Sequence, residues 1–261
     1  MLTFYYTVGQ KLPGDTCFEL IKQAGFDGVT LWWGDDYGDT NFRDNPARAR
    51  KAGLFVENIH TPISEINHIW LDNHEGDSLF RSFMGIVDDC VTHDIPTMIL
   101  HLSGGDSPPP FNELGLNRFK QIVEKAEKRG INVAFENLKK VAYLDYVLKN
   151  IDSPRAGFCY DSGHHNCFCP DEDLLPKYGN RLMALHLHDN DGTKDQHLLP
   201  FEGTIDWATT MGKISETGYA GPIAFEVGCK GYEDLPPEEY LSTVYKLGKR
   251  LEALTHSGEH K

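Results

Sequence analysis

The stretch Ile131–Asn132–Val133–Ala134–Phe135–Glu136 decides the fold, because it is a short apolar run that ends on a metal-binding side chain. Three later apolar runs end in the same way, on Asp161, His186 and Glu226. Short apolar runs are typical of buried parallel strands, and polar side chains at the C-terminal ends of such strands form the functional face of a barrel. Two Glu, one Asp and one His supply the oxygen and nitrogen donors that a divalent metal binds. The four strand ends therefore predict a metal centre.

Strand-like and helix-like segments alternate eight times along the chain. The predicted strands are Leu2–Val8, Gly28–Trp33, Leu54–His60, Thr97–Leu102, Ile131–Glu136, Ala156–Asp161, Leu182–His188 and Pro222–Val227. The predicted helices are Thr16–Ala24, Pro46–Ala52, Ser78–His93, Leu116–Arg129, Val141–Asn150, Glu172–Tyr178, Trp207–Thr217 and Pro237–Leu254. Eight β/α units predict an α/β fold, a single (β/α)₈ TIM barrel over residues 1–261. A doubly wound open sheet is the alternative, but the segment Val8–Lys11 lacks the glycine-rich phosphate loop that such a sheet usually carries.

The ends of the predicted helices support this alternation. Four helices are followed at once by a glycine, at Gly25, Gly53, Gly130 and Gly218. Glycine adopts the left-handed conformation that ends a helix and turns the chain back toward the sheet. Pro46 and Pro237 suit the first turn of the helices they open.

Composition and charge exclude several classes of protein. The net charge is −14, and no concentrated basic face is evident, so we expect no nucleic acid as a partner. The N-terminus lacks a secretory signal, and no apolar run approaches the ~18 residues of a membrane span. The six cysteines are scattered, which is typical of reduced thiols. We therefore expect a cytoplasmic globular protein that does not enter a membrane.

The alternation of side chains along a strand tests the metal hypothesis. Ala134 shares a face with Glu136, and Ala224 shares a face with Glu226, so a small residue lies below each acid. The seventh strand is ambiguous, because His186 lies on the same face as the histidine at position 188. One of these two histidines would bind the metal, and the other would support a ligand or line the pocket.

Five further donors follow the ends of predicted strands. They are His60, His101, His164, Asp195 and His197. Because the C-terminal ends of barrel strands share one rim, we expect these side chains to converge on the same site.

Several motifs of this chain resemble those of a known superfamily. They are Ile59-His60-Thr61-Pro62, Phe135-Glu136-Asn137, Tyr160-Asp161-Ser162-Gly163-His164, His186-Leu187-His188-Asp189-Asn190, Asp195-Gln196-His197, Gly203-Thr204-Ile205-Asp206-Trp207 and Phe225-Glu226-Val227. They are similar to the motifs of the xylose isomerase-like TIM-barrel superfamily, which includes sugar phosphate isomerases and epimerases and the apurinic endonuclease IV family. The likeness spans nearly the whole chain, and it indicates the superfamily more strongly than any one reaction.

The resemblance implies two ligand sets. In the isomerase and epimerase branch, one divalent ion (zinc, manganese, cobalt or magnesium) would be held by Glu136, Asp161, His186 and Glu226. The motif favours the first histidine of His-Leu-His-Asp, which is His186. In the endonuclease branch, up to three zinc ions would bind. The additional ligands would be His60 and His101, which share Glu136, together with His164, Asp195 and His197.

The first hypothesis is therefore a metal-dependent isomerase or epimerase that acts on a sugar or sugar phosphate. Glu136 and Glu226 would exchange a proton with the carbon beside the carbonyl, through an enediolate. His164 would contact the substrate oxygens as a third catalytic residue. Further substrate contacts are predicted at His188, Trp32, Trp33 and Lys230.

The alternative hypothesis is a trinuclear zinc phosphoesterase related to endonuclease IV. Two segments at the predicted mouth disfavour a DNA substrate for such an enzyme. Residues 34–44 carry four Asp against one Arg, and residues 63–77 carry four acidic residues with no Lys or Arg. A small phosphorylated sugar remains open, with Lys139, Lys194 or Lys230 as its anchor. A non-catalytic sugar-binding barrel is disfavoured, because binding alone does not require two glutamates on one metal.

The oligomeric state stays open at this stage. Pro108–Pro109–Pro110 with Phe111 would serve either as a rigid contact arm in a homo-oligomer or as a lid over the site.

Overall fold

A computed structural model describes residues 1–5, 16–36 and 39–255, and eight parallel strands form its centre. The strands are β1 (Leu2–Tyr5), β2 (Gly28–Trp32), β3 (Phe55–His60), β4 (Thr97–Leu100), β5 (Asn132–Glu136), β6 (Ala156–Asp161), β7 (Leu182–His186) and β8 (Ile223–Phe225). They pair in the order of the chain, with β8 beside β1. Leu187 closes the ring, because its amide donates to Ala224 at 2.9 Å and its carbonyl accepts from Glu226 at 3.2 Å. The (β/α)₈ barrel is thus confirmed, and this sequential order excludes a doubly wound sheet.

Nine α-helices lie within the described residues. They are α1 (Cys17–Gln23), α2 (Asn45–Lys51), α3 (His74–Thr92), α4 (Glu113–Arg129), α5 (Val141–Asn150), α6 (Ser162–Phe168), α7 (Leu174–Tyr178), α8 (Trp207–Glu216) and α9 (Pro237–Thr255). Helices α3 and α4 begin three to four residues before their predicted starts, because Asn73 and Asn112 cap them. Each asparagine side chain accepts a hydrogen bond from the amide three residues later, which supports the first turn.

The predicted boundaries differ from the structure most clearly around β6 and β1. The short helix α6 follows β6 directly and was not predicted; it starts because the Asp161 side chain accepts from the His164 amide at 2.6 Å. The predicted first strand extended to Val8, but residues 6–8 lie outside the described part of the chain.

The predicted helix ends are confirmed. Gly130 follows α4 with φ 76°, and the other three helix-ending glycines also have positive φ. Pro46 lies in the first turn of α2, and α9 begins at Pro237.

Two apolar layers surround and fill the barrel. The outer layer lies between strands and helices and is rich in aromatic rings, such as Phe119 and Phe135, whose centroids are 5.7 Å apart. Burial of one large apolar side chain contributes about 1.5–3 kcal/mol, so this layer dominates the stability of the fold. The inner layer is formed by Ile99, Ala134, Cys159 and Ala184. Three of these four are small, which leaves space on the barrel axis for the polar residues above.

Two β-bulges change which residues face the axis. Val29 pairs with Val56 and Thr30 pairs with Asn58, so Glu57 is an extra residue in β3. Met183 is likewise extra in β7, because Phe158 pairs with Leu182 and Cys159 with Ala184. A bulge re-aims the side chains beyond it. The strict alternation assumed from the sequence therefore fails at these two positions.

Two further findings bear on the expected environment. All six cysteines are free thiols. Among the described helices, none has the length and apolar character to span a membrane.

Candidate metal centre

Four side chains converge at the C-terminal end of the barrel: Glu136 at the end of β5, Asp161 at the end of β6, His186 at the end of β7 and Glu226 after β8. One donor atom from each lies within 4.8 Å of the others. His186 Nδ1 lies 2.8 Å from Glu226 Oε2 and 3.3 Å from Glu136 Oε2. The structure thus brings together the four donors predicted from the strand ends, and His186 belongs to this group whereas His188, two residues beyond it, does not. We call these four residues the central group.

Two donor atoms of the central group lack a hydrogen-bond partner in the described part of the chain and could instead bind a cation. His186 Nδ1 and Glu226 Oε2 are buried, yet within the described residues neither makes a hydrogen bond of acceptable geometry. Unpaired buried polar atoms are costly, and three carboxylates with an imidazole form a donor set that fits a divalent ion. These residues therefore fit a metal.

A first flanking group adjoins the central group on the side of β3 and β4. His60 Nε2 and His101 Nε2 each lie 3.2 Å from Glu136 Oε2. His60 Nδ1 donates to the Thr61 carbonyl at 2.8 Å, which fixes Nε2 toward the carboxylate. Glu136 is therefore shared between the central group and this pair, as the resemblance implied.

A second flanking group lies on the opposite side and is more open to solvent. It consists of His188, Asp195 and His197, and the side chains of Asp195 and His197 are 29% and 27% exposed. The predicted set had His164 in this place. His164 instead links the groups, with Nδ1 at 3.0 Å from Glu136 Oε1 and Nε2 at 3.3 Å from Asp195 Oδ2.

The carboxylates of the centre are held in the ionised form. Burial by itself raises the pKa of Glu136, but the charges of His186 and His101 outweigh it and hold the pKa well below 4.5. Burial also raises the pKa of Glu226, but the charges of His186 and His197 lower it to about 2. The centre thus presents anionic oxygens at neutral pH.

The histidines of the centre have raised pKa values, whereas the carboxylates have lowered ones. Burial lowers the pKa of His186, but Cys159, Glu226 and Glu136 raise it well above 6.5. Burial likewise lowers the pKa of His197, but Asp195 and Glu226 raise it to about 9. Without a metal these imidazoles carry protons that neutralise the carboxylates. A bound cation would displace those protons, so metal affinity should increase with pH.

Two residues that support the centre were not predicted to do so. The Asn137 side chain donates to the Asp161 carbonyl and accepts from the Asp161 amide, both at 2.8 Å. Asp189 is fully buried and accepts from Trp207 Nε1 at 2.8 Å and from the amides of Phe201 and Ile205. Asn137 directly follows the predicted ligand Glu136, and Asp189 lies three residues after the predicted ligand His186. This proximity in sequence to a ligand was the feature that could have identified both as supporting residues.

The structure places three of the predicted substrate contacts in different surroundings. Trp33 packs in the outer apolar layer and donates to Asp89 at 2.9 Å, because it lies on the opposite face of the chain from Trp32. His188 is fully buried, and its Nε2 lies 3.1 Å from Asp161, so it supports a predicted ligand, and its predicted contact with a substrate stays a prediction. Trp32 stacks on His60 with centroids 5.2 Å apart, and its predicted contact with a sugar stays a prediction.

The predicted lysine anchors differ in their positions. Lys230 is exposed in the loop after β8, at a distance in sequence of four residues from Glu226. Lys139 instead lines a cavity of about 280 Å³ beside His101, together with Ile63, Ser103, Leu138 and Phe168. Lys139 pairs there with Asp106 and lies 5.4 Å from the centroid of the Phe168 ring.

The segment after β4 packs against its own barrel. Phe111 stacks on Tyr146 with centroids 4.5 Å apart, and the Tyr143 hydroxyl donates to the Pro109 carbonyl. This segment therefore rests on α5, and an oligomeric role for it stays a prediction.

The chain is similar to known proteins over most of its length. A model of the xylose isomerase-like TIM barrel family matches residues 18–249. The uncharacterized protein y4fM of Sinorhizobium fredii is 27% identical, with 93% of this chain and 90% of that protein covered. The fructoselysine 3-epimerase of Escherichia coli O157:H7 is 25% identical, with 87% of this chain and 90% of that protein covered.

Solved structures agree on the fold. The IOLI protein with a bound zinc atom superposes with a TM-score of 0.81 at 16% identity, and the match covers 98% of this chain and 99% of that one. A D-tagatose 3-epimerase-like protein superposes with a TM-score of 0.77 at 21% identity, over 98% of this chain and 99% of that one. At these identities the likeness supports the barrel and no particular reaction.

Proposed function

The chain belongs to the xylose isomerase-like TIM-barrel family, and from that premise we propose that it is a metal-dependent isomerase or epimerase of a sugar or sugar phosphate. The observation that carries the proposal is the pair Glu136 and Glu226, whose carboxylates both lie against His186 Nδ1. Their strands, β5 and β8, are separated by two others around the ring, so the two acids approach the axis from different sides.

This arrangement suits the removal and return of a proton on a sugar carbon. One carboxylate would take the proton beside the carbonyl, and the other would deliver a proton to the opposite face of the resulting enediolate. Both acids are ionised at neutral pH, so either can serve as the base. A divalent ion held by the central group would polarise the carbonyl and stabilise the negative charge that develops on its oxygen.

Neighbouring residues would orient the substrate. His164 lies between Glu136 and Asp195, where its imidazole can donate to a sugar oxygen. The cavity beside His101 would accommodate the part of the sugar remote from the reacting carbon. A phosphate on that part would meet Lys139, which we favour over Lys230 as an anchor.

The names of the similar proteins support this class of reaction. The fructoselysine 3-epimerase and the D-tagatose 3-epimerase-like protein suggest a ketose that is inverted at carbon 3. The zinc atom in the IOLI protein, which has the same fold, supports a divalent ion as the cofactor. The expected partner is a small-molecule sugar, and its identity is left to experiment.

A trinuclear phosphoesterase is the second candidate. It is favoured by the two flanking groups, which extend the central group to a row of donors on both sides. It is disfavoured by the acidic segments 34–44 and 63–77, which would repel a nucleic acid. We therefore place it second.

Metal content and proton exchange together separate the two candidates. Protein purified without chelator would be analysed for metal and then incubated with D-fructose, D-tagatose and their phosphates in deuterated water. The isomerase or epimerase should incorporate solvent deuterium at carbon, and Glu136→Gln and Glu226→Gln should both abolish this exchange. Three zinc ions per chain, hydrolysis of a phosphodiester and no exchange would overturn the proposal in favour of the phosphoesterase.

A further inference from the structure

The histidines of the centre differ in how their second ring nitrogen is held. His60, His164 and His197 each direct Nδ1 to a backbone carbonyl, at 2.8, 3.1 and 2.8 Å. His186 directs Nδ1 to the carboxylates, and its buried Nε2 has no hydrogen-bond partner among residues 1–5, 16–36 and 39–255. A histidine that binds a metal almost always donates its other N–H to a carboxylate, a carbonyl or a water molecule. An acceptor for His186 Nε2 is therefore to be sought inside the barrel.

A second polar layer lies on the barrel axis below the metal centre. It consists of Thr3, Thr30, Glu57 and Asn58 on β1 to β3, and all four side chains are at least nine-tenths buried. Thr3 Oγ1 donates to Glu57 Oε2. Glu57 Oε1, Thr30 Oγ1 and both amide atoms of Asn58 have no protein partner in the described chain. We call these four residues the lower layer.

Burial of so many unpartnered polar atoms is costly. Each one costs about 1–3 kcal/mol when it is left without a hydrogen bond. Buried polar groups of this kind are normally satisfied by ordered water that makes two to four hydrogen bonds. The lower layer has the required donors and acceptors on three adjacent strands.

The lower layer lies directly beneath His186. On the inward face, Thr30 pairs in register with Tyr5 and Asn58, and the next inward residues are Trp32 and His60. Tyr5 and His60 both stack on the His186 ring, with centroids 6.0 and 5.6 Å away. Successive inward residues are about 6–7 Å apart along a strand. One or more water molecules would bridge that interval, and a direct contact would not.

We propose that the lower layer binds ordered water, through which Glu57 accepts the hydrogen bond of His186 Nε2–H and so positions the imidazole that faces the metal. The inference rests on the proposed metal centre but not on the identity of the substrate. The bulge in β3 makes it possible, because it brings both Glu57 and Asn58 to the axis. Glu57 is thus a positioning residue and does not touch the substrate.

The competing acceptor is the buried Cys159 thiol, whose sulfur lies within 4.8 Å of a ring nitrogen of His186 and which raises the pKa of that imidazole in part through a hydrogen bond. A thiol is a weak acceptor compared with a carboxylate or water. A hydrogen bond to this sulfur would also leave the polar atoms of the lower layer without partners, whereas bound water would satisfy both His186 and those atoms.

The test is zinc affinity, measured by competition with a chelating dye at neutral pH. Glu57→Met keeps the length of the side chain and removes the acceptor, so we expect about a 10- to 100-fold loss of affinity. Glu57→Gln keeps an acceptor oxygen and should restore most of that loss. The matched control is Thr97→Val, which alters another buried threonine of the barrel whose hydroxyl accepts from Asn132 at 3.2 Å. The control should stay within about twofold of the wild type.

Two results would overturn the proposal. One is a Glu57→Met protein that binds zinc as tightly as the wild type, and the other is a loss of affinity in Cys159→Ala alone. If Glu57→Met does not fold, a crystal structure of the wild-type zinc protein decides, since it must contain water within hydrogen-bond distance of His186 Nε2 and of Glu57. A well-resolved structure without water at that position would refute the inference. Zinc affinity is independent of turnover, so a protein that binds zinc in this way but exchanges no sugar proton would contradict only the proposed function.

Discussion

Two buried glutamates, Glu136 and Glu57, face the same barrel axis but differ in charge. Burial raises the pKa of both. At Glu136 the charges of His186 and His101 outweigh burial, and the pKa lies well below 4.5. At Glu57 a hydrogen bond from Thr3 and the charge of His186 oppose burial only in part, and the pKa is raised to about 7. The comparison teaches that burial alone does not determine the charge of an acid, because the number of nearby histidines decides it.

The two layers also differ in what they can bind. The upper layer, by which we mean the central group with its two flanking groups, holds anionic oxygens and imidazoles that point toward one space, which suits a divalent cation. The lower layer holds hydroxyl, amide and weakly acidic groups, which suit water. One barrel therefore carries a site for a cation above and a site for water below.

The largest expected difference between the glutamates is in turnover. Glu136→Gln removes an acid–base group and a donor shared by two groups, so kcat should fall by at least about 10³-fold. The same substitution at Glu57 keeps an acceptor oxygen, so it should lower kcat by less than the roughly 10-fold expected when the acceptor is removed. Circular dichroism and thermal unfolding would establish that both variants fold. A Glu136→Gln enzyme with near-normal kcat would contradict the conclusion that Glu136 contributes more to turnover than Glu57.

The pH dependence of stability gives the next largest effect. A raised pKa means that Glu57 stabilises the fold fully below its unfolded pKa of 4.5 and loses that contribution as pH rises through about 7. For the metal-free protein the loss amounts to at most about 3 kcal/mol. Urea unfolding of wild type and Glu57→Gln between pH 4 and 8 would measure it. The two unfolding free energies should converge at low pH, and a constant difference across this range would contradict the assignment.

Removal of the metal tests the upper layer as a whole. An ion present at about 100 times its dissociation constant stabilises the folded state by about 2.7 kcal/mol. Dialysis against a chelator should therefore lower the Tm by about 5–10 °C in a chain of this size. Calorimetry before and after adding back zinc, manganese, cobalt or magnesium would also identify the ion that restores both Tm and turnover. An unchanged Tm would mean that the acids of the upper layer are neutralised by protons alone.

The smallest effect is expected at the exposed edge of the upper layer. Asp195 is partly exposed and belongs to a flanking group, so Asp195→Asn should reduce kcat by less than about tenfold if one ion in the central group suffices. Burial lowers the pKa of His197, but the Asp195 carboxylate opposes burial and raises that pKa to about 9. In Asp195→Asn the pKa of His197 should therefore fall toward 6.5, which NMR would detect. A loss of activity as large as that of Glu136→Gln, with loss of bound zinc, would favour the trinuclear centre.

The sequence predicted the ends of the strands better than the residues within them. Glu136, Asp161 and Glu226 were recognisable because each terminates a local apolar run, and such runs depend only on neighbouring residues. Glu57 was not recognisable, since a charged residue between Val56 and Asn58 looks like an outward-facing position in a regular strand. Its inward position results from a bulge, and a bulge is a property of the pairing between two strands.

The choice between neighbouring residues also separates what the sequence determines from what the tertiary structure decides. The sequence by itself determined the barrel, its order of strands and the three carboxylates of the central group, because apolar periodicity, helix caps and turn glycines act over a few residues. Only the tertiary structure decided that His186 joins the central group while His188 supports Asp161, that Trp32 faces the axis while Trp33 packs outside, and that Glu57 points inward. Each of those outcomes depends on the register between strands that are distant in the chain, and register is settled by packing around the whole ring.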